Sequence, residues 1–364
     1  MEYRDYITPN DNDVMALSDN ESIQNAINLA SELGCNKVIV PKYNKRRKNF
    51  EWIIEKTVLI PGDMHLVLDN CYLCLADDVV CNMFTNKNCN EAIGRTSEGK
   101  ERNIVVEGRG NAVLDGGKYN GLSELNCDKE NGPFVTSNCT MMFTNIDKFC
   151  ISGLKFINQR YWAINFMFAS NGRIRDIDFM ANHSYIDENG NKIDCLSTEI
   201  PYRSMCVINA DGIDLRVGCH DIIVENITGF TQDDSVALTG LFGKSSERFE
   251  VKGKSYDIRN IIIRNVNTST LYANVRLLNM GGVKLYNILI DGIVDGSKDF
   301  EGLKRGSSSV RIGDHHMYGS RHATSDEIYN ISIRNVYSRA ISPLDIVCNL
   351  KNISFDNIFS FDKE

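Results

Sequence analysis

One phrase recurs along the chain: Asn or Asp, then Ile, any residue, another apolar residue, two polar residues and an aliphatic one. It reads Asp221-Ile-Ile-Val-Glu-Asn-Ile227, Asn260-Ile-Ile-Ile-Arg-Asn-Val266 and Asn287-Ile-Leu-Ile-Asp-Gly-Ile293. It returns as Asn330-Ile-Ser-Ile-Arg-Asn-Val336 and Asn352-Ile-Ser-Phe-Asp-Asn-Ile358, with a shorter version at Asn103-Ile-Val-Val. Apolar residues at every second position predict a strand with one buried face. A unit this short cannot bury that face alone and must stack on its own copies. One circuit of three short strands and their turns takes about 22 residues. Starts at residues 221, 260, 287, 330 and 352 are 39, 27, 43 and 22 apart, so the last step is a bare coil. The others fit one coil with an insertion, or nearly two. Inward Ile and Val would stack into ladders, and the asparagines would sit at corners, where they tolerate left-handed backbone. The reading is an all-β, parallel β-solenoid. Its 364 residues exceed a usual compact domain, but a solenoid grows by adding coils. No composition shift divides it, so 1–364 reads as a single domain.

An open first coil needs a cover. Ser18 to Leu33 supplies one as an amphipathic helix: Ile23, Ala26, Ile27, Ala30 and Leu33 fall at helical spacing. Ser18 with Glu21 has the form of a capping box, and Gly34 is a stop. No such helix follows the last phrase, so its edge predicts a loop fold-back or a subunit contact, the latter making a homo-oligomer. The net charge of −8 and pI near 5.4 argue against a nucleic-acid or anionic-membrane partner. Twelve scattered cysteines, mostly within apolar runs, read as buried free thiols rather than a metal site. With no apolar leader after the polar start Met-Glu-Tyr-Arg-Asp, a cytoplasmic location is expected.

Two strand-like runs carry carboxylates that a strand interior does not normally hold: Val207-Ile-Asn-Ala-Asp-Gly-Ile-Asp-Leu215 and Thr231-Gln-Asp-Asp-Ser-Val-Ala-Leu238. Asp211 and Asp233 are 22 residues apart, one coil, and Asp234 follows. Stacked about 4.8 Å apart, the three would share one surface patch. Like charges that close raise at least one pKa, which keeps a general acid protonated near neutral pH. Adjacent strand residues face opposite ways, so Asp233 and Asp234 both reach the patch only at a bend. Taken singly, Asp211-Gly212 is an ordinary turn and Asp233-Asp234 a solvated corner.

Two insertions lie near this patch. Residues 182–204 contain Asp187, Asn189 and Asn191, which have the spacing of a calcium loop, but Gly190 stands at the wrong position. Asn189-Gly190 reads better as a hairpin turn. Residues 304–326 carry Arg311, His315, His316, Tyr318, Arg321 and His322. We read this as a groove rim contacting a sugar rather than a metal site, since no carboxylate or cysteine lies at helical ligand spacing.

These phrases resemble the polygalacturonase family, glycoside hydrolase family 28, among the pectin-lyase-like right-handed parallel β-helices. Asn103-Ile-Val-Val-Glu-Gly-Arg-Gly110, Leu114-Asp-Gly116 and Tyr161-Trp-Ala-Ile164 are similar to its early-coil phrases. Asn209-Ala-Asp211-Gly212 is similar to its Asn-Thr-Asp-Gly motif, and Gln232-Asp233-Asp234 to its paired aspartates. The resemblance implies that Asp233 is the general acid, and that Asp211 and Asp234 position and activate water. It also implies Asn209 and Arg276 as substrate contacts, inversion of configuration and no cofactor. Two family motifs differ. Lys252-Gly-Lys-Ser-Tyr256 stands where the Gly-His-Gly motif is expected, and Val275-Arg-Leu-Leu278 keeps the arginine of Arg-Ile-Lys but has Leu278 for its lysine. In the family those two residues help hold galacturonate. Their absence predicts a neutral sugar, contacted by Arg276, Arg311 and the His315–Tyr318 rim, unless Lys252, Lys254 or Arg311 compensates.

The expected function is therefore an oligosaccharide-cleaving glycosidase. Two other classes fit the same scaffold. One is a lyase or intramolecular glycosyl transferase, the lyase needing an Arg or Lys base. The other is a non-catalytic carbohydrate-binding β-helix.

Overall fold

The computed structural model describes residues 5–11, 16–117, 134–159, 161–181, 210–241, 243–279, 281–296, 305–314, 318 and 321–361. The chain is a right-handed parallel β-helix. One long sheet runs through Lys37–Pro41, His65–Asp69, Glu101–Arg109, Ile146–Ser152, Ser170–Met180, His220–Thr231, Ile258–Thr270, Leu285–Asp295, Ile328–Ser338 and Lys351–Ser360. A second sheet stacks Val58–Ile60, Phe84–Asn86, Met141–Thr144, Ile164–Met167, Ile213–Arg216, Val236–Gly240, Ala273–Asn279, Ser308–Gly313 and Ser342–Val347. Early coils add a third face, Glu51–Ile54, Tyr72–Leu75, Val113–Asp115 and Lys155–Ile157, which merges into the long sheet at Ser170–Met180.

Each recurring phrase is one coil, since the five strands that carry them are direct neighbours. The steps of 39, 27 and 43 residues are thus single circuits with insertions. Ile222, Ile261, Ile288, Ile331 and Ile353 form one inward row, and Ile227, Val266, Ile293, Val336 and Ile358 another. The leading residues Asp221, Asn260, Asn287, Asn330 and Asn352 all have φ between 54° and 58°. Their side chains hydrogen-bond from coil to coil: Asn260 to Asp221 at 2.8 Å, Asn287 to Asn260 at 2.9 Å, Asn330 to Asn287 at 3.1 Å and Asn352 to Asn330 at 2.7 Å. A second left-handed bend follows five residues later, at Asn226, Asn265, Gly292, Asn335 and Asn357. Asparagine is suited to both tasks, because its short amide tolerates positive φ and both donates and accepts.

Between the two bends an outward row alternates in charge: Arg175, Glu225, Arg264, Asp291, Arg334 and Asp356 are in register. Arg264 donates to Glu225 at 2.7 Å and Arg334 to Asp291 at 2.8 Å.

The helix Asp19–Glu32 covers the first coil, with Ile23, Ala26, Ile27 and Ala30 buried against it. Leu33 departs from the expected apolar row; it is the C-cap and 45% exposed. The Ser18 hydroxyl accepts the Glu21 N–H at 3.2 Å, but the Glu21 carboxylate accepts from Leu17, one residue before the usual capping-box partner. At the other end, no described segment folds over the last coil, and Phe355 and Ile346 are exposed. Nine described cysteines are free thiols, four of them buried. No helix among the described residues is long and apolar enough to cross a membrane.

The ladder makes a measurable statement. Asn287 is exposed, has φ +56° and holds two ladder bonds. Asn287→Gly loses the bonds but keeps the backbone; Asn287→Ala loses both. Urea unfolding is expected to place Ala below Gly by about 1–2 kcal/mol. Equal losses would contradict a left-handed bend there.

Candidate active site

The corner between the long sheet and the second sheet gathers the carboxylates. Backbone bonds across three coils fix its register. The Ala163 N–H donates to the Asp211 carbonyl at 3.1 Å, and the Gly212 N–H to the Asp234 carbonyl at 2.9 Å. With Ile213 opposite Val236, the residue facing Asp211 on the next coil is Asp234. Asp211 and Asp233 thus lie on neighbouring coils, with Asp234 rather than Asp233 in register with Asp211. Asp233 lies one residue earlier, between the strands His220–Thr231 and Val236–Gly240, where strand alternation does not apply. That resolves how neighbouring aspartates reach one patch. Gly212 is demanded by packing: a Cβ there would lie 2.4 Å from the Ser235 carbonyl oxygen.

The corner is tightly pinned. Gln232 accepts the Ala210 N–H at 3.2 Å. The Asp233 carbonyl accepts the hydroxyls of Thr231 at 2.7 Å and Thr270 at 2.5 Å, and its carboxylate accepts the Asp234 N–H at 2.8 Å. This leaves Asp233 half-buried while Asp211 and Asp234 are buried.

Period-2 alternation along the second sheet turns Ile213 and Leu215 inward and Asp214 outward. Its outward row, in register from coil to coil, is Asn165, Asp214, Ala237, Arg276, Arg311 and Asp345. The Arg276 guanidinium lies 3.8 Å from Asp234 and 3.4 Å from Asp314. Arg311 lies 3.2 Å from Asp345. Arg216 rests its guanidinium 4.2 Å above the Trp162 ring and 3.7 Å from Asp214. The Tyr318 N–H donates to Asp314 at 3.2 Å, with the Tyr318 side chain exposed at the rim.

Electrostatics separate these groups. Burial pushes Asp211 well above the carboxylate range, and Asp233, Asp214 and Asp234 push it further. Burial also raises Asp234, but Arg276, Arg311 and the Ala273 N–H oppose it. Asp214 is raised by burial against the pull of Arg216.

Of the residues singled out in the sequence, Asp211, Asp233, Asp234 and Arg276 meet, and Arg311 and Tyr318 lie on the same side. Asn209 and His315 fall outside the described residues, as does the 182–204 insertion. Lys252 and Lys254 belong to the loop after Val236–Gly240, at the opposite end of that strand from Asp233 and Asp234. There the Lys252 backbone bonds to Arg95 and Lys254 lies near Lys100. Asp214, Arg216, Asp314 and Asp345 were missed. Asp214 was findable, being a polar residue between inward Ile213 and Leu215. Arg216 ends the same strand as Asp214, whereas Asp314 and Asp345 reach the site across coils of irregular length.

The pH dependence of stability follows from the raised carboxyls. A carboxyl whose folded pKa lies above its unfolded value favours folding at low pH, and that contribution is lost as pH rises through the folded pKa. Asp211→Asn removes the loss. It is expected to raise the melting temperature at neutral pH, with the gain shrinking towards acid. A gain independent of pH would contradict a carboxyl held above its ordinary range at Asp211.

No protein-family profile matches the chain, and no curated protein matches it in sequence. Solved structures share its coil. The Family 28 exopolygalacturonase of Yersinia enterocolitica aligns with a TM-score of 0.52 at 13% identity, over 98% of this chain and 67% of that one. The tailspike protein of E. coli bacteriophage HK620, solved in complex with a pentasaccharide, aligns with a TM-score of 0.54 at 12% identity, over 99% and 64%. A 1,3-alpha-1,4-beta-D-galactose-4-sulfate-3,6-anhydro-D-galactose-2-sulfate 4 galactohydrolase gives 0.52 at 12%, over 100% and 95%. At these identities the likeness is one of fold, the right-handed parallel β-helix.

Proposed function

We propose that this chain is a glycosidase that cleaves a neutral oligosaccharide by acid–base catalysis. One observation carries the reading. Beside the three clustered aspartates, buried polar atoms lack hydrogen-bond partners among the described residues: Asn165 Oδ1, Asp211 Oδ1, Asp214 Oδ2, Arg216 Nε and Arg276 Nε. Each such atom costs about 1–3 kcal/mol when left unmade. Donors and acceptors together at one buried site suit a polyhydroxylated ligand, which offers both. The fold shared with carbohydrate-acting proteins supports the same class.

In this reading half-buried Asp233 gives its proton to the leaving glycosidic oxygen as the C–O bond breaks. Asp234, with Arg276 and Arg311 nearby, accepts the proton of the water that attacks from the opposite face. One displacement inverts the anomeric centre. The arginines argue for a neutral sugar. Arg276 faces Asp234 and Asp314, and Arg311 faces Asp345, so each guanidinium is already matched by a carboxylate. A substrate carboxylate would enter an acidic site without gaining an unmatched cation.

Product analysis by mass and anomeric NMR over a panel of neutral and uronate oligosaccharides tests both statements. Cleavage of neutral chains is expected; efficient cleavage of oligogalacturonate alone would overturn the substrate assignment. Asp233→Asn is expected to lower turnover by about 10²–10⁴-fold, least for substrates with an acidic leaving group. Products absorbing in the near ultraviolet would indicate a lyase. Binding without turnover in the native protein would indicate a binding module, the reading that the pentasaccharide-bearing tailspike favours.

A further inference from the structure

One short stretch of this acidic chain is strongly basic. Lys42, Lys45, Arg46, Arg47 and Lys48 lie between the strands Lys37–Pro41 and Glu51–Ile54 of the first coil, with no carboxylate among them. They form the tip of a hairpin that is built rather than loose. Asn44 and Asn49 pair backbone to backbone, at 2.8 and 3.3 Å. The buried Asn44 side chain donates to the Glu51 carbonyl at 3.0 Å and accepts the Arg47 N–H at 3.1 Å. Asn10 braces the tip, accepting the Lys45 N–H at 3.0 Å and donating to the Tyr43 carbonyl at 2.9 Å. The left-handed residue of the turn, with φ +56°, is Lys48, where glycine or asparagine would be less strained.

The tip leans on the capping helix. The Arg46 guanidinium donates to Asp19 at 2.8 Å and to the Leu17 carbonyl at 3.1 Å, and Arg47 lies 3.6 Å from Asp19. Among the described residues, Asp19 is the one carboxylate in ion-pair contact with the five cations. Lys45 and Lys48 are exposed and outside any such pair. Apolar side chains stand in water beside them. Leu17, its N–H held by Glu21 and its carbonyl by Arg46, is 88% exposed. Phe50 is 59% exposed, with Tyr43 edge-on to it at 5.6 Å and the Lys42 ammonium 5.4 Å from its ring. Cations alone would suit any polyanion. A leucine cannot stack on a base or a sugar, so its exposure among them favours a surface with acyl chains beneath anionic headgroups.

We propose that this hairpin, with Leu17, docks the chain on an anionic lipid surface. The net charge of −8 opposes such a partner for the chain as a whole, but distance and screening remove the objection. The long sheet stacks ten strands, a length of roughly 40 Å. Exposed charges more than about 8 Å apart are largely screened at physiological salt. The basic tip therefore meets the surface with its own charge, and most of the acidic coils lie beyond reach. Because the tip is already pinned, it loses little conformational freedom on docking. The strand Ile213–Arg216 is the fifth of the second sheet, so the aspartate corner stands about 20 Å along the stack from the first coil. Docking is thus separate from the candidate site and does not rest on the glycosidase reading.

Flotation of the full chain with lipid vesicles tests the proposal. At about 0.1 M salt, the protein is expected to float with mixed phosphatidylcholine–phosphatidylglycerol vesicles and to stay behind with phosphatidylcholine alone. Binding should be lost as salt rises towards about 1 M, where screening is nearly complete. Each lysine near such a surface is worth about fivefold in affinity, so Lys45→Gln together with Lys48→Gln is expected to weaken binding about 30-fold. Lys45→Arg keeps the charge and should bind as the native chain does. Leu17→Ser is expected to weaken binding while leaving its salt dependence in place. These side chains are exposed, so the melting temperature should stay where it is in every variant. No flotation, equal flotation with both kinds of vesicle, or native binding by the double glutamine variant overturns the proposal. Native vesicle binding by Leu17→Ser, with heparin or single-stranded DNA held through the same lysines, would assign the tip to soluble polyanions and overturn the lipid assignment.

Discussion

The parallel hydrogen-bond register between successive coils is the constraint from which the rest follows. Each coil lies about 4.8 Å from the next, and a residue's neighbour is set by which backbone amide meets which carbonyl. The bond from the Gly212 amide to the Asp234 carbonyl thereby decides which two carboxyls confront each other. It also explains the glycine, since any side chain at residue 212 would strike the Ser235 carbonyl and push the coils apart. The asparagines at the bends enforce the same register from the other side of the coil, each amide bridging to the one below. Packing alone would not hold it, because stacked Ile and Val rows are nearly alike from coil to coil.

Within that register, burial supplies the chemistry and cations distribute it. Asp211, Asp214 and Asp234 experience similar desolvation, yet only Asp234 and Asp214 have guanidiniums to offset it. The result is a set of carboxyls with unlike tendencies to hold a proton, which acid–base catalysis requires. Asp233, at the turn and half-buried, is the most exposed of the three clustered aspartates.

Much of this was legible in the sequence because the periodicities are local. Alternation of Ile and Val showed the strands, and asparagines at fixed offsets showed the bends. The spacing from Asp211 to the Asp233–Asp234 pair showed the shared patch. Which of Asp233 and Asp234 stands in register with Asp211 was not legible, because it depends on how many residues the Thr231–Ser235 corner absorbs, and turn geometry is weakly encoded. Asp314 and Asp345 were hidden for a related reason. They meet Arg276 and Arg311 only after insertions of unequal length, so no fixed interval marks them. The substitution of Leu278 for a lysine was visible at once. What it implied for charge became arguable only when Arg276 and Arg311 were seen already facing carboxylates.

The outward row Arg175, Glu225, Arg264, Asp291, Arg334 and Asp356 carries a consequence for how such a chain can change length. Its sign alternates with a period of two coils, whereas the aliphatic rows beneath repeat with a period of one. Excising the single coil that bears Asp291 would leave every apolar contact intact in kind but set Arg264 against Arg334. Excising two adjacent coils would restore opposite charges at the new junction. The surface therefore counts in pairs what the core counts singly, and insertions or deletions of an even number of coils are the ones this stack can absorb without repulsion.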